Sequence, residues 1–270
     1  MKKKYIIRIT NLLIIIAGIA VITYMPEKAK SQGETVPITV FVHGYKGTHN
    51  SFGSMLDRFE SNKWGEKALV YRVSREGDVR VYNLNKGKTK PVYIQVIFED
   101  NRASFKDGAR WLSNVLSHMK QYYQINNVNL VGHSMGGLIS VKYIEEYGDA
   151  SRYPVTDNLV TIGSPFDGIH NKTYFKYNRD EAATDLKPNS AALQLLRSTK
   201  EMIPSGLNVL NIGSTGDPIA VPESVRALRM IIPAEQLETV IIENDELGHS
   251  QLHESQYVDQ LIHSFLGKTP

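Results

Sequence analysis

The chain contains no cysteine in its 270 residues. Disulfides, thiolate zinc centres and cysteine nucleophiles are thereby excluded, so an exported form has to hold together by its hydrophobic core alone. Low-complexity tracts and internal repeats are missing as well. No His-Glu-x-x-His or other recognised ligand spacing occurs, so neither a metal nor another cofactor is expected. An excess of basic charge is missing too, once the N-terminus is set apart. Lys2, Lys3, Lys4, Arg8, Lys28 and Lys30 stand against Glu27 in residues 1–30, a net +5, so the +3 of the whole chain leaves residues 31–270 near −2. That balance gives no reason to expect a nucleic-acid partner.

The N-terminus carries a long apolar run, Ile9 to Met25, interrupted by Thr10, Asn11 and Thr23 and preceded by Met1-Lys2-Lys3-Lys4 and Arg8. It reads as an export signal or a single membrane anchor. The stretch after it, Pro26 to Ser31, has no small-x-small cleavage site, so both fates stay open. Under the positive-inside rule the lysines remain in the cytoplasm. Residues 31–270 are then exported, either secreted or held at the outer face of the cytoplasmic membrane. The expected organisation is residues 1–30 as signal or anchor and residues 31–270 as one α/β domain, a length that supports a sizeable core.

Within that domain the segment Asn129-Leu130-Val131-Gly132-His133-Ser134-Met135-Gly136-Gly137 concentrates the chemistry. An apolar strand runs into Gly-x-Ser-x-Gly and out into a helical pattern at Leu138, Ile139, Val141, Tyr143 and Ile144. In such a turn Gly132 and Gly136 leave no Cβ where strand and helix backbones nearly touch, and the serine projects with a helix N-terminus beneath it. The pattern alone recurs by accident; its strand-turn-helix context makes Ser134 a candidate nucleophile.

The remaining segments set that turn in a fold. Pro37 to Gly44 reads as a central strand, followed by a loop from Tyr45 to Asn50 and a helix for which Ser51 is the expected cap. Ala68 to Val73 and Val79 to Leu84 alternate across Arg75-Glu76-Gly77-Asp78, a hairpin pattern. Pro91 to Phe98 is a further strand, and a helix over Ala109 to Tyr123 separates it from the Ser134 strand. Asn158 to Gly163, Asn208 to Gly213 and Glu238 to Ile242 add three more strands. Alternation of this kind predicts a mostly parallel central sheet with helices on both faces. Ser164 to Gly206 is a long polar stretch containing Tyr174, Phe175 and Tyr177, with a helical patch at Ala191 to Arg197. It reads either as a lid-like insertion over the carboxyl edge of the sheet or as a surface excursion packed by its own aromatics.

A serine hydroxyl needs a base to take its proton, and the base needs an acid to hold its tautomer. Asp217, in the turn-rich Gly213 to Pro218 after one strand, and His249, after the next, follow Ser134 in the order serine, acid, histidine. Asp167 is the rival acid, because it too follows a strand. His253 is the rival base, but with Ser250 as an expected N-cap it would fall inside the last helix while His249 stays in the loop. His43 and His133 read as structural groups that hydrogen-bond their loops. For an oxyanion, the backbone amides of Met135 and of Tyr45 are the expected donors, with Gly44 as the alternative to Tyr45.

His43-Gly44, Gly132 to Gly137, Gly163-Ser164-Pro165-Phe166, Gly216-Asp217 and His249-Ser250 together resemble the α/β-hydrolase superfamily over nearly all of the exported region. The hairpin after the first helix, Gln95 to Asn101 and His249 to Glu254 are similar to an uncharacterised family of exported Gram-positive α/β hydrolases, often labelled cell-surface hydrolases. The resemblance implies the fold, the triad Ser134, Asp217 and His249, and a serine hydrolase acting on a small-molecule or lipid-like acyl substrate. Acyl transfer to an alcohol would use the same residues. A surface binding protein on a hydrolase scaffold is the competing expectation. If residues 1–30 are not cleaved, they supply a membrane contact.

Overall fold

A computed structural model of the chain describes residues 38–84 and 92–267. The expected signal or anchor, residues 1–30, and the linker after it lie outside the described residues. Val36–Pro270 forms one compact unit.

Alternation in the first apolar segment already requires two cores. β1 (Ile38–Val42) places Phe41 on one face and Val40 and Val42 on the other, all fully buried. A strand covered on both sides reads as a continuous apolar run, as this one does. β2 (Glu66–Val73), β3 (Val79–Asn83), β4 (Val92–Phe98), β5 (Asn127–His133), β6 (Val155–Ile162), β7 (Asn208–Ser214) and β8 (Leu237–Ile242) complete an eight-stranded sheet in the order β3-β2-β4-β1-β5-β6-β7-β8. Only the β2–β3 hairpin is antiparallel, with Val73 opposite Val79. This is the α/β-hydrolase type of sheet expected above. Because β1 and β4 to β8 all run one way, the loops after them share one edge.

One core packs α1 (Gly53–Ser61) and α8 (Gln256–Leu266) on the Phe41 face, through Phe52, Met55, Leu56, Phe59, Val258 and Ile262. Phe41 meets Phe52, Phe59 and Tyr93 edge-on, with ring centroids 5.2, 6.2 and 5.6 Å away. This is the favoured aromatic geometry. The other core packs α2 (Phe105–Tyr123) and α3 (Met135–Glu146), with Trp111, Leu112, Leu116 and Leu138 among its buried residues. The insertion folds into α4 (Tyr174–Tyr177), α5 (Glu181–Asp185) and α6 (Ala191–Ser198), and α7 (Pro222–Arg226) follows β7. Its Ala182, Leu186, Leu193 and Leu196 are buried in that same second core. No described helix is long and apolar enough to cross a membrane.

Three boundaries differ from expectation, each because of a hydrogen bond. α2 begins at Phe105 rather than Ala109, since the Ser104 hydroxyl accepts from the Asp107 amide. Ser51 does not cap α1; it sits in a 3-10 turn (His49–Ser51) capped by Thr48, and its own hydroxyl accepts from the Thr48 amide. Ser250 does not cap α8 either. A 3-10 turn, Gln251–Glu254, intervenes, and Ser255 is the cap, so His253 lies in that turn and not in the α-helix. The Arg58 guanidinium donates to the His253 carbonyl at 3.0 Å, which withdraws that carbonyl from a continuing helical ladder.

Two predictions follow from this packing. A Cβ on Gly136 would lie 2.0 Å from the Val42 carbonyl oxygen, backbone that cannot step aside. Gly136→Ala is expected to cost about 3 kcal/mol or more in urea unfolding. Gly53→Ala, where no atom lies within 4 Å, is expected to be neutral or to gain up to about 1 kcal/mol; equal effects at the two sites would contradict the packing. On α3, Glu145 is buried, with Oε2 accepting from the Thr199 hydroxyl at 2.7 Å and Oε1 without a hydrogen-bond partner among the described residues. Burial pushes its pKa up to about 7. The folded state therefore binds a proton that the unfolded chain has released above about pH 4.3, so this group's contribution to stability falls as pH rises through 7. Glu145→Gln is expected to raise the thermal midpoint at pH 8 more than at pH 5, and a pH-independent change would refute the assignment.

Candidate active site

The backbone around Ser134 is shaped before any side chain matters. Ser134 sits at φ 55°, ψ −128°, between the end of β5 and the start of α3. This is a strained conformation for a residue with a side chain. The surroundings enforce it: the Ser134 amide donates to the Ile162 carbonyl on β6 at 2.8 Å, and the Ser134 carbonyl accepts from the Gly137 amide at 3.0 Å. Gly44, after β1, presses against this turn so closely that a Cβ there would lie 2.7 Å from the Ser134 Cβ and 3.0 Å from the Met135 nitrogen.

The three residues expected to act together meet at this edge. His249, in the loop after β8, has Nε2 2.9 Å from the Ser134 Oγ and Nδ1 2.7 Å from Asp217 Oδ2. The carboxylate can only accept, so Nδ1 carries the proton and Nε2 is left as the acceptor for the serine hydroxyl. Asp217 follows β7 and is buried, with its other oxygen accepting from the amides of Ile219 (2.8 Å) and Ala220 (2.9 Å). Both oxygens are thus occupied, which fixes the carboxylate plane and offsets its burial. The rival acid Asp167 is turned away: it pairs with Arg197 and lies 3.2 Å from His170 Nε2. The rival base His253 bonds Glu254, not Ser134.

Two further imidazoles stand behind the site. His43 Nδ1 donates to the Gly44 carbonyl (2.9 Å), while Nε2 accepts from the Phe98 amide (3.0 Å), tying the loop after β1 to the end of β4. Burial lowers its pKa. His133 donates from Nε2 to the His249 carbonyl at 3.1 Å; its ring is tilted against that of His249 and edge-on to that of His253, with centroids 4.8 and 4.7 Å away. Burial first, then the neighbouring imidazoles, hold its pKa well below the usual range. The 3-10 turn beyond His249 is held from α1, where Arg58 also pairs with Glu254 and with buried Asp259 on α8. His43 and His133 were expected to hydrogen-bond their loops, whereas the support from Arg58 escaped the sequence reading. Arg58 and His253 are 195 residues apart, and no local pattern joins them.

The amides of Met135 and Tyr45 have no protein acceptor among the described residues. Met135 opens α3, where the first amides lack helical partners. Tyr45 and Gly44 share the loop that touches the Met135 nitrogen. An anion at this edge would find a fixed helix N-terminus and uncommitted amides. No cluster of three or more histidine or acidic side chains suited to a metal ion occurs among the described residues.

An eight-stranded, mostly parallel sheet with a serine on the strained turn between a central strand and its following helix defines the α/β-hydrolase class. The chain belongs to the family described as "Alpha/beta hydrolase of unknown function (DUF915)", whose model matches residues 26–269. Among solved structures, the lin2722 gene product of Listeria innocua is 25% identical, with a TM-score of 0.74 over 88% of this chain and 96% of that one. A protein described as a cell surface hydrolase from Lactobacillus plantarum is 20% identical, with a TM-score of 0.66 over 87% and 92%. Bacillus licheniformis lipase BlEst2 in mature form is 15% identical, with a TM-score of 0.54 over 85% and 91%, a likeness of fold. No curated protein sequence matches.

The imidazole environment makes a spectroscopic prediction. At about pH 6, where an ordinary histidine is mostly protonated, nitrogen-15 spectra should show His133 and His43 neutral, the former protonated on Nε2 and the latter on Nδ1. A charged His133 at that pH would contradict the assigned bonds.

Proposed function

We propose that this protein is an exported serine hydrolase that cleaves a carboxylic ester through an acyl-enzyme. The reading is carried by one observation, the unbroken hydrogen-bond path Ser134 Oγ, His249 Nε2, His249 Nδ1, Asp217 Oδ2 at the carboxyl edge of the sheet. In the proposed reaction the Ser134 Oγ bonds to the acyl carbon while its proton passes to His249 Nε2. The negative oxygen that forms is held by the Met135 and Tyr45 amides. The ester C–O bond then breaks, and the leaving alcohol takes the proton from His249. Water repeats the sequence: it gives a proton to His249, adds to the acyl carbon, and releases the carboxylic acid as Ser134 regains its proton. Asp217 keeps Nδ1 protonated and stabilises the imidazolium. Transfer of the acyl group to another alcohol would need no further residue.

Membership of a hydrolase family supports the reaction class, and the lipase among the structural neighbours supports an ester with a small-molecule or lipid-like acyl group. Export rests on the charged and apolar N-terminal run and on the likeness to a cell surface hydrolase. We assign residues 1–30 to the signal or anchor and 31–270 to the hydrolase domain, with 164–206 as its insertion.

Fluorophosphonate probes, which transfer phosphorus to an activated serine oxygen with loss of fluoride, should label the wild-type protein at Ser134, and Ser134→Ala should remove both labelling and hydrolysis of short p-nitrophenyl esters. Asp217→Asn should lower turnover by roughly 10³–10⁴. A folded wild-type protein that resists the probe and cleaves no ester would instead be a binding protein on a hydrolase scaffold.

A further inference from the structure

The loop that carries the Tyr45 amide is tied outward as well as inward. From Tyr45 the phenol donates to Asp180 Oδ2 at 2.6 Å and lies 3.1 Å from Asn178 Oδ1. Beside it, the Lys46 ammonium donates to the same Asn178 oxygen, and Arg102, in the loop after β4, donates to Asp180 Oδ2 at 2.9 Å. Asp180 is itself fixed, because its other oxygen caps α5 through the Ala183 amide at 3.1 Å. Backbone bonds continue the seam: the Ala182 amide donates to the Arg102 carbonyl (3.1 Å), and the Phe105 amide donates to Asp185 (3.0 Å). On the inner side, the Lys46 amide donates to the Asn101 carbonyl (2.8 Å), and the Asn101 side chain donates to the Gly47 carbonyl (2.9 Å). Asn178 and Asp180 belong to the insertion, whose Ala182 and Leu186 are sunk in the main core. Residues 178–186 are therefore an anchored limb that grips the loop after β1.

We propose that the Tyr45 side chain is a positioning residue: through its hydroxyl, Asp180 and Asn178 hold the Tyr45 backbone amide at the place where the oxyanion of the proposed reaction forms. One residue then serves twice, its amide facing the reacting atoms and its phenol reaching the insertion. This inference rests on the serine-hydrolase reading. It assigns the insertion a part in building the catalytic centre, beyond covering it. A charge-assisted hydrogen bond from phenol to carboxylate is short and directional, and misplacing an oxyanion donor by about 1 Å can cost on the order of 100-fold in rate.

Tyr45→Phe leaves Ser134 and the backbone amide untouched, keeps the ring against Tyr174, and removes the bonds of the hydroxyl to Asp180, Asn178 and Arg102. The measurements are the rate of fluorophosphonate labelling and the kcat and KM for p-nitrophenyl butyrate, each beside the urea midpoint. The expected result is a fall of about 10-fold in both labelling rate and kcat, with KM within about two-fold. Asp180→Asn, which weakens the same bond from the insertion side, should fall similarly. The double variant should lose less than the product of the two single losses, since both share the contact between the phenol and Asp180. Full kcat and labelling rate in folded Tyr45→Phe and Asp180→Asn, with only a lower urea midpoint, would mean that the tether is purely structural and would overturn the proposal. So would additive losses, or a loss confined to KM. A wild-type protein that is neither labelled nor active removes the hydrolase reading itself, and this inference with it, a result distinct from an active wild type with unimpaired variants.

Discussion

The crowding of three backbones at the Ser134 turn constrains everything else at this edge of the sheet. α3 starts so close to β1 that Gly136 has the Val42 carbonyl where a side chain would begin, and the loop after β1 returns through Gly44 onto Ser134 and Met135. The arrangement stores strain in one residue, the positive φ of Ser134. It is tolerated because a central strand, a helix with almost every residue buried and the bond from the Ser134 amide to β6 over-determine the turn. The same crowding leaves the Met135 amide, the first of α3, without a protein acceptor among the described residues.

Around that turn the polar groups are held by bonds to backbone more than by one another. Asp217 spends one oxygen on two amides, His43 bridges two loops, and His133 grips the main chain of His249. Backbone partners cost no side-chain entropy and move only with the fold, so they preset geometry at low expense. Neutral imidazoles suit this place. Burial lowers the pKa of both His43 and His133, and for His133 the rings of His249 and His253 lower it further, which disfavours a fixed positive charge beside His249. The carboxylate needed to orient it is reached on its far nitrogen.

The insertion shows how a polar segment is tied into the molecule. Its apolar positions at Ala182, Leu186, Leu193 and Leu196 join the main core, while its polar positions at Asn178 and Asp180 face the loop beside the serine. The outer aromatic stretch divides: Tyr174 packs on Tyr45, whereas Tyr177 stays exposed. Anchored and outward parts alternate along one short segment, which a reading of composition alone averages into a polar loop.

The succession of strands and helices along the chain, and the turns on which Ser134, Asp217 and His249 stand, were legible in the sequence, because hydrophobic period and turn chemistry act over a few residues and survive as local pattern. Gly132, Ser134 and Gly136 announced a sharp strand-to-helix turn for the same reason. Local pattern misled at Ser51 and Ser250: a serine before an apolar helix is a capping signal, yet Ser51 lies in a 3-10 turn capped by Thr48 and α1 starts after Phe52 without a side-chain cap, while Ser255 caps α8 beyond a turn whose His253 carbonyl is held by Arg58. By loop position the sequence put Asp217 ahead of Asp167 as the partner of His249, although both follow strands at the same edge. Only folding decided that Arg197 neutralises one and the imidazole meets the other. What the sequence by itself determined was which residues could stand on which turns. The tertiary structure alone decided which turns touch, because contacts between residues more than a hundred positions apart depend on how the elements pack and leave no periodic trace along the chain.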